Sequence, residues 1–404
     1  MSGVDFKIFD SDNHFYEAED AFTRHLDASM RQRTMQWVSV NGKKRLLVAE
    51  KVNKFIPNPT FDPIAKPGSL NDFFRGHNSA GTDVRTLFGD LEPLANRPEY
   101  RDREARLALM DRQGIEGAIF LPTLGVGMEQ ALIHDPEALV AAFRAFNRWM
   151  AEDWGFAYRD RIFAAPIFTL VDPAAAVAEL DWALENDARF VLMLPGPIMT
   201  PAGGRSPSDR MFDGFWRRVN DAGVTVVLHG GDSWYSNYMK DWGQGNYTSQ
   251  AFMVNPLKTI ISHSAVSDYY AALLAAGHFA RFPNLRVAAI ETGSDWVFPL
   301  FEKLGKSFGQ TPQAYPEDPR ETFKRHCFVS PFYEDKVDKL YALLGPERIL
   351  MGSDFPHAEG LEEPSSYIND LREFNFSDAD ARLIMRENGV ALSRRQPARS
   401  AVPV

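Results

Sequence analysis

Residues 10–17, DSDNHFYE, follow directly on the apolar run of residues 6–9 and set a histidine among carboxylates, with Asp12 two places before His14 and Glu17 three places after it. If a strand continues through this stretch, Asp12 and His14 project from the same face, because side chains in a strand alternate with period two. Two donors on one face can chelate a metal ion. The same Ser, Asp and Asn are also ordinary turn residues after a strand, so the assignment rests on partners elsewhere in the chain. Two stand at the ends of other β-type runs: His229 closes VTVVLH (224–229), and Asp354 closes RILMGSD (348–354). Two imidazoles with one or two carboxylates are a normal ligand set for zinc, manganese or iron, and so few protein ligands leave a position for water or substrate.

These residues need a scaffold that brings distant strand ends together. Short β-type runs recur at 6–9, 117–122, 162–168, 189–194, 224–229, 285–291, 326–331 and 348–354. Between most of them lie amphipathic helical patterns. Residues 172–186 open with an Asp cap and a Pro at the first helical position, and residues 211–223 close on Gly223. Near-continuous apolar strands alternating with helices predict a parallel sheet covered on both faces, and eight such units predict an α/β fold of the (β/α)8, or TIM, barrel type. An open doubly wound sheet is the structural alternative, but no glycine-rich phosphate fingerprint follows the first strand. In a parallel barrel all strand C-termini open on one mouth, so Asp12, His14, His229 and Asp354 converge there.

Residues 15–105 do not fit the repeat. They contain MQWVSVNGKKRLLVAEK, two β-type runs about an Asn-Gly turn, which predicts a hairpin. The span reads as an insertion after strand 1 that folds over the C-terminal mouth, within a single domain of residues 1–395 followed by a flexible tail, 396–404.

The 404 residues are 45% hydrophobic and carry a formal net charge of −10, which argues against a nucleic-acid partner. No apolar run approaches the roughly 20 residues needed to span a bilayer, and the N-terminus shows neither a basic region nor an apolar leader. A cytoplasmic protein without membrane contact is expected. The single cysteine, Cys327, excludes an internal disulfide framework and a thiolate zinc cage, and it reads as a buried small hydrophobe.

Together, DSDNH on strand 1, LHGG on strand 5, RFPNLRVAAIETGSDWVFPLFEKL around strand 6 and RILMGSDFPHAEG on strand 8 resemble the amidohydrolase superfamily. The similarity is to amidohydrolase family 2, the branch that includes aminocarboxymuconate-semialdehyde decarboxylase and related aromatic-acid decarboxylases, and it runs from about residue 5 to about residue 390. The resemblance implies one divalent ion, zinc or manganese, held by Asp12, His14, His229 and Asp354. Asp12 stands in place of the family's first histidine, which makes the donor set richer in oxygen and shifts it towards manganese. No lysine occurs in RFVLMLPGP, so the carboxylated-lysine bridge of two-metal relatives has no counterpart. Glu291 stands where the branch often carries a histidine.

The proton-handling residues expected from this pattern are Asp354, His263 and Glu291. His263 either supplies the missing imidazole or merely starts a helix, His357 is read as a partner of Asp354, and Glu17 as a cap or loop anchor. His278 and His326 are read as structural, and the aromatic run of residues 232–242 as a pocket wall. Lys54, Lys66 or Arg75 could meet a substrate carboxylate. With no imidazole on strand 6, the favoured reading is a mononuclear metal-dependent hydrolase of a small aromatic or cyclic ester, lactone or amide. The alternative is a metal-dependent non-oxidative decarboxylase of an aromatic or unsaturated acid, and a third reading is a non-catalytic small-ligand barrel. A small-molecule substrate and a homodimer are expected.

Overall fold

Valine, isoleucine, leucine and alanine dominate the central strands, and every residue of β1 (Ile8–Phe15) is buried, on both faces of the strand. Such strands require cover on both sides, which parallel sheets obtain from their crossover helices. The computed structural model describes residues 4–397 apart from 57, 79, 201, 232–238, 240–241, 244–255 and 262–263.

After β1 come β2 (Met35–Val40), β3 (Lys43–Val48) and the two-residue β4 (Lys51–Val52), then β5 (Ile115–Pro122), β6 (Ile162–Ala164) and β7 (Phe190–Met193). A small antiparallel pair follows, β8 (Ile198–Thr200) and β9 (Gly203–Arg205), and then β10 (Thr225–His229), β11 (Arg286–Ile290) and β12 (Cys327–Val329). Parallel ladders join β1 to β5 to β6, and β7 to β10 to β11 to β12. Single parallel bridges complete the ring. Ile167–Leu192 links β6 to β7, Val329–Ile349 leads to a last stave over residues 349–355, and Asn13–Phe355 returns it to β1. Seven strands and this stave make the eight of a closed (β/α)8 barrel rather than an open sheet.

The helices begin and end where local chemistry directs. Asp172 caps Pro173–Glu185 by accepting from the amides of Ala174 and Ala175, and Asp213–Ala222 ends at Gly223 with φ of 64°. β2 and β3 pair antiparallel about Asn41–Gly42, whose φ values of 51° and 71° suit a tight two-residue turn. The segment that follows packs on the loop after the last stave, with Leu70 N donating to Ala358 O at 2.9 Å and Leu70, Val84 and Ala358 forming a small separate core. At the other end of the barrel, Gln396 N donates to Gly223 O at 2.9 Å. Residues 398–404 lie outside the described residues.

The seam between β1 and the last stave combines backbone bonds, from Ser11 N to Met351 O at 2.9 Å, His14 N to Phe355 O at 2.7 Å and Asp354 N to Asp12 O at 2.8 Å, with bonds from side chains. Asp10 accepts from Asn13 Nδ2 at 2.8 Å, Ser353 N at 3.0 Å and Ser353 Oγ at 2.5 Å. Gly352 lets the staves approach, since a Cβ there would lie 2.5 Å from Asp12 Cβ. Between Asp10 and Asn13, β1 advances three residues while β5 advances two, a bulge of the kind that re-aims side chains. Arg106, fully buried on the helix Arg103–Gln113, locks this bulge by donating to Asn13 Oδ1 at 2.5 Å, His14 O at 2.9 Å and Glu99 O at 2.7 Å. Arg106→Met would strand three acceptors in a dry interior. It is expected to cost about 3 kcal/mol or more, read from the denaturant midpoint. A loss under about 1 kcal/mol would show that the bulge is held by other contacts.

Candidate metal centre

Side chains from four staves meet at the C-terminal mouth. Asp12 and His14 come from β1, His229 from the last position of β10, Glu291 from just past β11 and Asp354 from the eighth stave. Glu291 and Asp354 both sit in the left-handed region, with φ of 51° and 55°. That conformation is costly for non-glycine residues and is typical of positions held for function. Gly230 makes room for the first of these, because a Cβ there would lie 2.4 Å from Glu291 O.

His14 Nε2 lies 3.2 Å from Asp12 Oδ1, 3.2 Å from Glu291 Oε2 and 3.4 Å from Asp354 Oδ1. His229 Nε2 lies 2.9 Å from Glu291 Oε2 and 3.7 Å from Asp12 Oδ1. Donors bound at about 2.1 Å to one ion stand ~3.0 Å apart at octahedral corners and ~3.4 Å apart at tetrahedral ones. The spacing therefore matches the edges of a coordination shell. The hydrogen bonds agree. His229 Nδ1 gives its hydrogen to Gly230 O at 2.5 Å, so a neutral ring turns a bare Nε2 lone pair towards two carboxylates. Neither His229 Nε2 nor Asp12 Oδ1 has a hydrogen-bond partner although both are buried. A cation satisfies both at once, and a set of two imidazoles with several carboxylate oxygens suits zinc or manganese.

Electrostatics shows the same demand. Burial would lower the His229 pKa, but the neighbouring carboxylates, Glu291 first and then Asp12, lift it to about 10. Burial would raise Asp12 and Glu291, yet the two imidazoles pull Asp12 below and Glu291 well below the usual carboxylate range. Asp354 is driven well above that range by burial and then by Glu291, Glu359 and Asp12. Crowded negative charge takes up protons, and an ion held among His14, His229, Asp12 and Glu291 would displace those on its own ligands.

Asp354 has a second contact. Its Oδ1 lies 2.5 Å from His357 Nδ1, and His357 Nε2 lies 3.0 Å from Thr123 Oγ1, whose hydroxyl donates to Phe15 O at 2.9 Å. Thr123 thus spends its hydrogen on the backbone and accepts one from Nε2, which leaves Nδ1 as an acceptor facing Asp354. Burial and the neighbouring His14 push the His357 pKa down to about 3, in keeping with a neutral ring. Tyr16 stacks on Phe61 at 4.4 Å and lies 6.0 Å from the His357 ring, an aromatic shelf beside the carboxyl.

The structure thus brings Asp12, His14, His229, Asp354 and Glu291 together, and seats His357 against Asp354. Glu17 lies outside the ligand groups and anchors a turn, its Oε1 accepting from Leu124 N at 2.8 Å and Gly125 N at 3.0 Å. His263 lies outside the described residues, as does the aromatic run of residues 232–242 except for Met239 and Trp242. Of the cations considered for a substrate carboxylate, Lys54 and Lys66 are exposed. Arg75 is engaged, 2.9 Å from Asp370 and over the Tyr333 ring at 4.7 Å. His278 and Cys327 are fully buried, and His326 donates from Nδ1 to Leu285 O at 2.8 Å. Thr123 was not anticipated from sequence, where its only mark is its place just past the end of β5.

A family model described as Amidohydrolase matches residues 10–393. The chain is 42% identical to an amidohydrolase of known crystal structure from Mycobacterium avium subsp. paratuberculosis K-10, over 97% of this chain and 100% of that one, with a TM-score of 0.91. More distant structures share the fold. One is 2,6-dihydroxybenzoate decarboxylase from Rhizobium, at 20% identity over 82% of this chain and 96% of that one, TM-score 0.56. Another is 5-carboxyvanillate decarboxylase from Novosphingobium aromaticivorans DSM 12444, complexed with manganese and a nitrobenzoic acid, at 14% identity over 97% and 96%, TM-score 0.57. Among the described residues no helix is long and apolar enough to cross a membrane.

Proposed function

Since the chain belongs to the amidohydrolase family, we propose that it is a metal-dependent, non-oxidative decarboxylase of a small aromatic or unsaturated carboxylic acid. The observation that carries this reading is the contact between Asp354 and His357, which favours a protonated carboxyl. Asp354 Oδ1 faces a His357 nitrogen that can only accept, so at 2.5 Å the shared hydrogen belongs to the carboxyl. Hydrolysis asks for a base at this position, whereas loss of carbon dioxide leaves an electron pair on carbon that needs an acid. The absence of an imidazole after β11 no longer favours hydrolysis, because Glu291 takes its place among the candidate ligands and the acid is supplied from the eighth stave. The distant decarboxylases that share the fold, one of them complexed with manganese, support the same class.

Asp12, His14, His229 and Glu291 would hold the ion, with Asp354 at its edge beside His14 and Glu291. Bound there, a divalent ion supplies positive charge for the substrate carboxylate and an adjacent hydroxyl. The Tyr16–Phe61 shelf orients a flat ring beside Asp354, and burial of the cluster keeps water from competing for the proton. Asp354 then gives its proton to the ring carbon as the bond to the carboxyl carbon breaks, with the electron pair staying on the ring and carbon dioxide leaving. His357, fixed by Thr123, steers the proton along one direction.

The test is a panel of hydroxybenzoates, esters, lactones and amides offered to manganese-loaded protein in deuterium oxide. Release of carbon dioxide with one deuterium on the ring carbon and no need for oxygen is expected. Turnover confined to the esters, lactones or amides would restore the hydrolase reading.

A further inference from the structure

Glu291 reaches both imidazoles from the turn that follows β11, and its φ of 51° persists only where the surrounding structure fixes it. The fixing groups come from the loop after β12. There Asp335 spends one oxygen, Oδ2, on three donors: Ser294 N at 2.7 Å, Ser294 Oγ at 2.9 Å and, from its own loop, Phe332 N at 3.1 Å. Ser294 stands three residues beyond Glu291 in the sequence and is 1% exposed, so its bonds to Asp335 are shielded from water. The Phe332 ring closes on the same turn. A Cβ on Gly293, whose φ is 62°, would lie 2.8 Å from Phe332 Cδ2 and 3.4 Å from Asp335 Oδ2. The far side of the turn is tied to the helix Val297–Gln310, with Val297 N donating to Ser294 O at 3.0 Å and Trp296 Nε1 to Gly293 O at 2.9 Å.

We propose that Asp335 is a positioning residue of the metal centre: by gripping Ser294 it fixes the turn that presents the Glu291 carboxylate to His14, His229 and the ion. Asp335 lies outside the candidate ligand groups and acts through Glu291. Three charge-assisted bonds converging on one oxygen hold a backbone more firmly than neutral bonds would. Without them the turn is free to relax towards an ordinary backbone conformation, which swings the Glu291 carboxylate away from His229 Nε2, now 2.9 Å from it. Groups that orient a ligand from behind typically contribute ~10–100-fold to metal affinity. The inference rests on Glu291 holding the ion, and it stands whether the mouth decarboxylates or hydrolyses.

The probe is Mn²⁺ alone, titrated into the metal-stripped full chain and followed by the electron paramagnetic resonance of the free ion. Four proteins are compared: unmodified, Asp335→Ala, Glu291→Ala and the double variant, with the melting temperature of each recorded. Asp335→Ala should weaken Mn²⁺ binding about 10–100-fold. In the Glu291→Ala background the same change should cost under about twofold, because residues that act as one unit are not additive. A merely structural role would lower the affinity equally in both backgrounds. Unchanged affinity in Asp335→Ala, equal losses in both backgrounds, or full affinity in Glu291→Ala would each overturn the inference. Only the last of these also removes Glu291 from the ligand set. Amide hydrogen exchange of the unmodified protein is decisive even if a variant fails to fold, because the coupling is reciprocal. Adding Mn²⁺ should slow exchange at Ser294 and at Phe332, and protection that leaves residues 332–335 unchanged would overturn the inference.

Discussion

Asp354→Asn is expected to slow turnover by about 10²–10⁴-fold while leaving the protein folded and partly able to bind metal. Asparagine keeps the shape and one coordinating oxygen but cannot carry the proton that Asp354 shares with His357. The loss should fall on kcat more than on KM, since the missing interaction belongs to the transition state. A purely structural carboxyl predicts the opposite pattern, with a lower melting temperature and turnover per folded molecule nearly intact. Turnover, metal content and melting temperature measured on one preparation separate the two. A metal-loaded variant within about threefold of the unmodified rate would transfer the proton step to another group of the mouth.

His229→Ala and Asp12→Ala should each release the ion and abolish activity. His229 Nε2 and Asp12 Oδ1 are buried atoms of the cluster that face the candidate ion with no hydrogen-bond partner, so each depends on the cation as much as the cation depends on it. Loss of either should weaken metal binding by more than the ~10–100-fold that changes behind the ligands typically cost. The barrel should still fold, because its core is apolar and continuous beneath the mouth. Metal analysis after dialysis, beside circular dichroism, gives the answer: one equivalent of ion retained by both variants would mean that the ligands lie elsewhere.

Much of this was legible in the chain because a parallel barrel converts sequence position into spatial position. A residue at the C-terminal end of a β-type run must reach the mouth, and Asp12, His14, His229 and Asp354 could be placed there on that argument alone. Glu291 was legible as a residue but not as a neighbour of both imidazoles. Its reach depends on a left-handed backbone at the strand end, which no periodicity announces for a non-glycine residue. The eighth stave was read as an ordinary strand, whereas it pairs only through single bridges and scattered backbone bonds, reinforced by Ser353 on Asp10. The Thr123–His357 pairing spans 234 positions and joins a threonine of no distinctive context to a loop histidine. Arg106 was likewise hidden, since arginine in an amphipathic helix reads as solvent-facing until a carbonyl-lined cavity is seen to hold it.

The stave that completes the ring is also the last to be synthesised. Asp354 leaves the ribosome some 340 residues after Asp12, so through that interval the nascent chain displays an unfinished sheet with two free edges. At roughly 5–20 residues per second that interval lasts on the order of 17–70 seconds. Throughout it, Asp10 lacks Ser353 and β1 lacks the partner that turns an open edge into an interior strand. A chain truncated before residue 349 is therefore expected to be aggregation-prone and a client for chaperones, rather than a smaller stable domain.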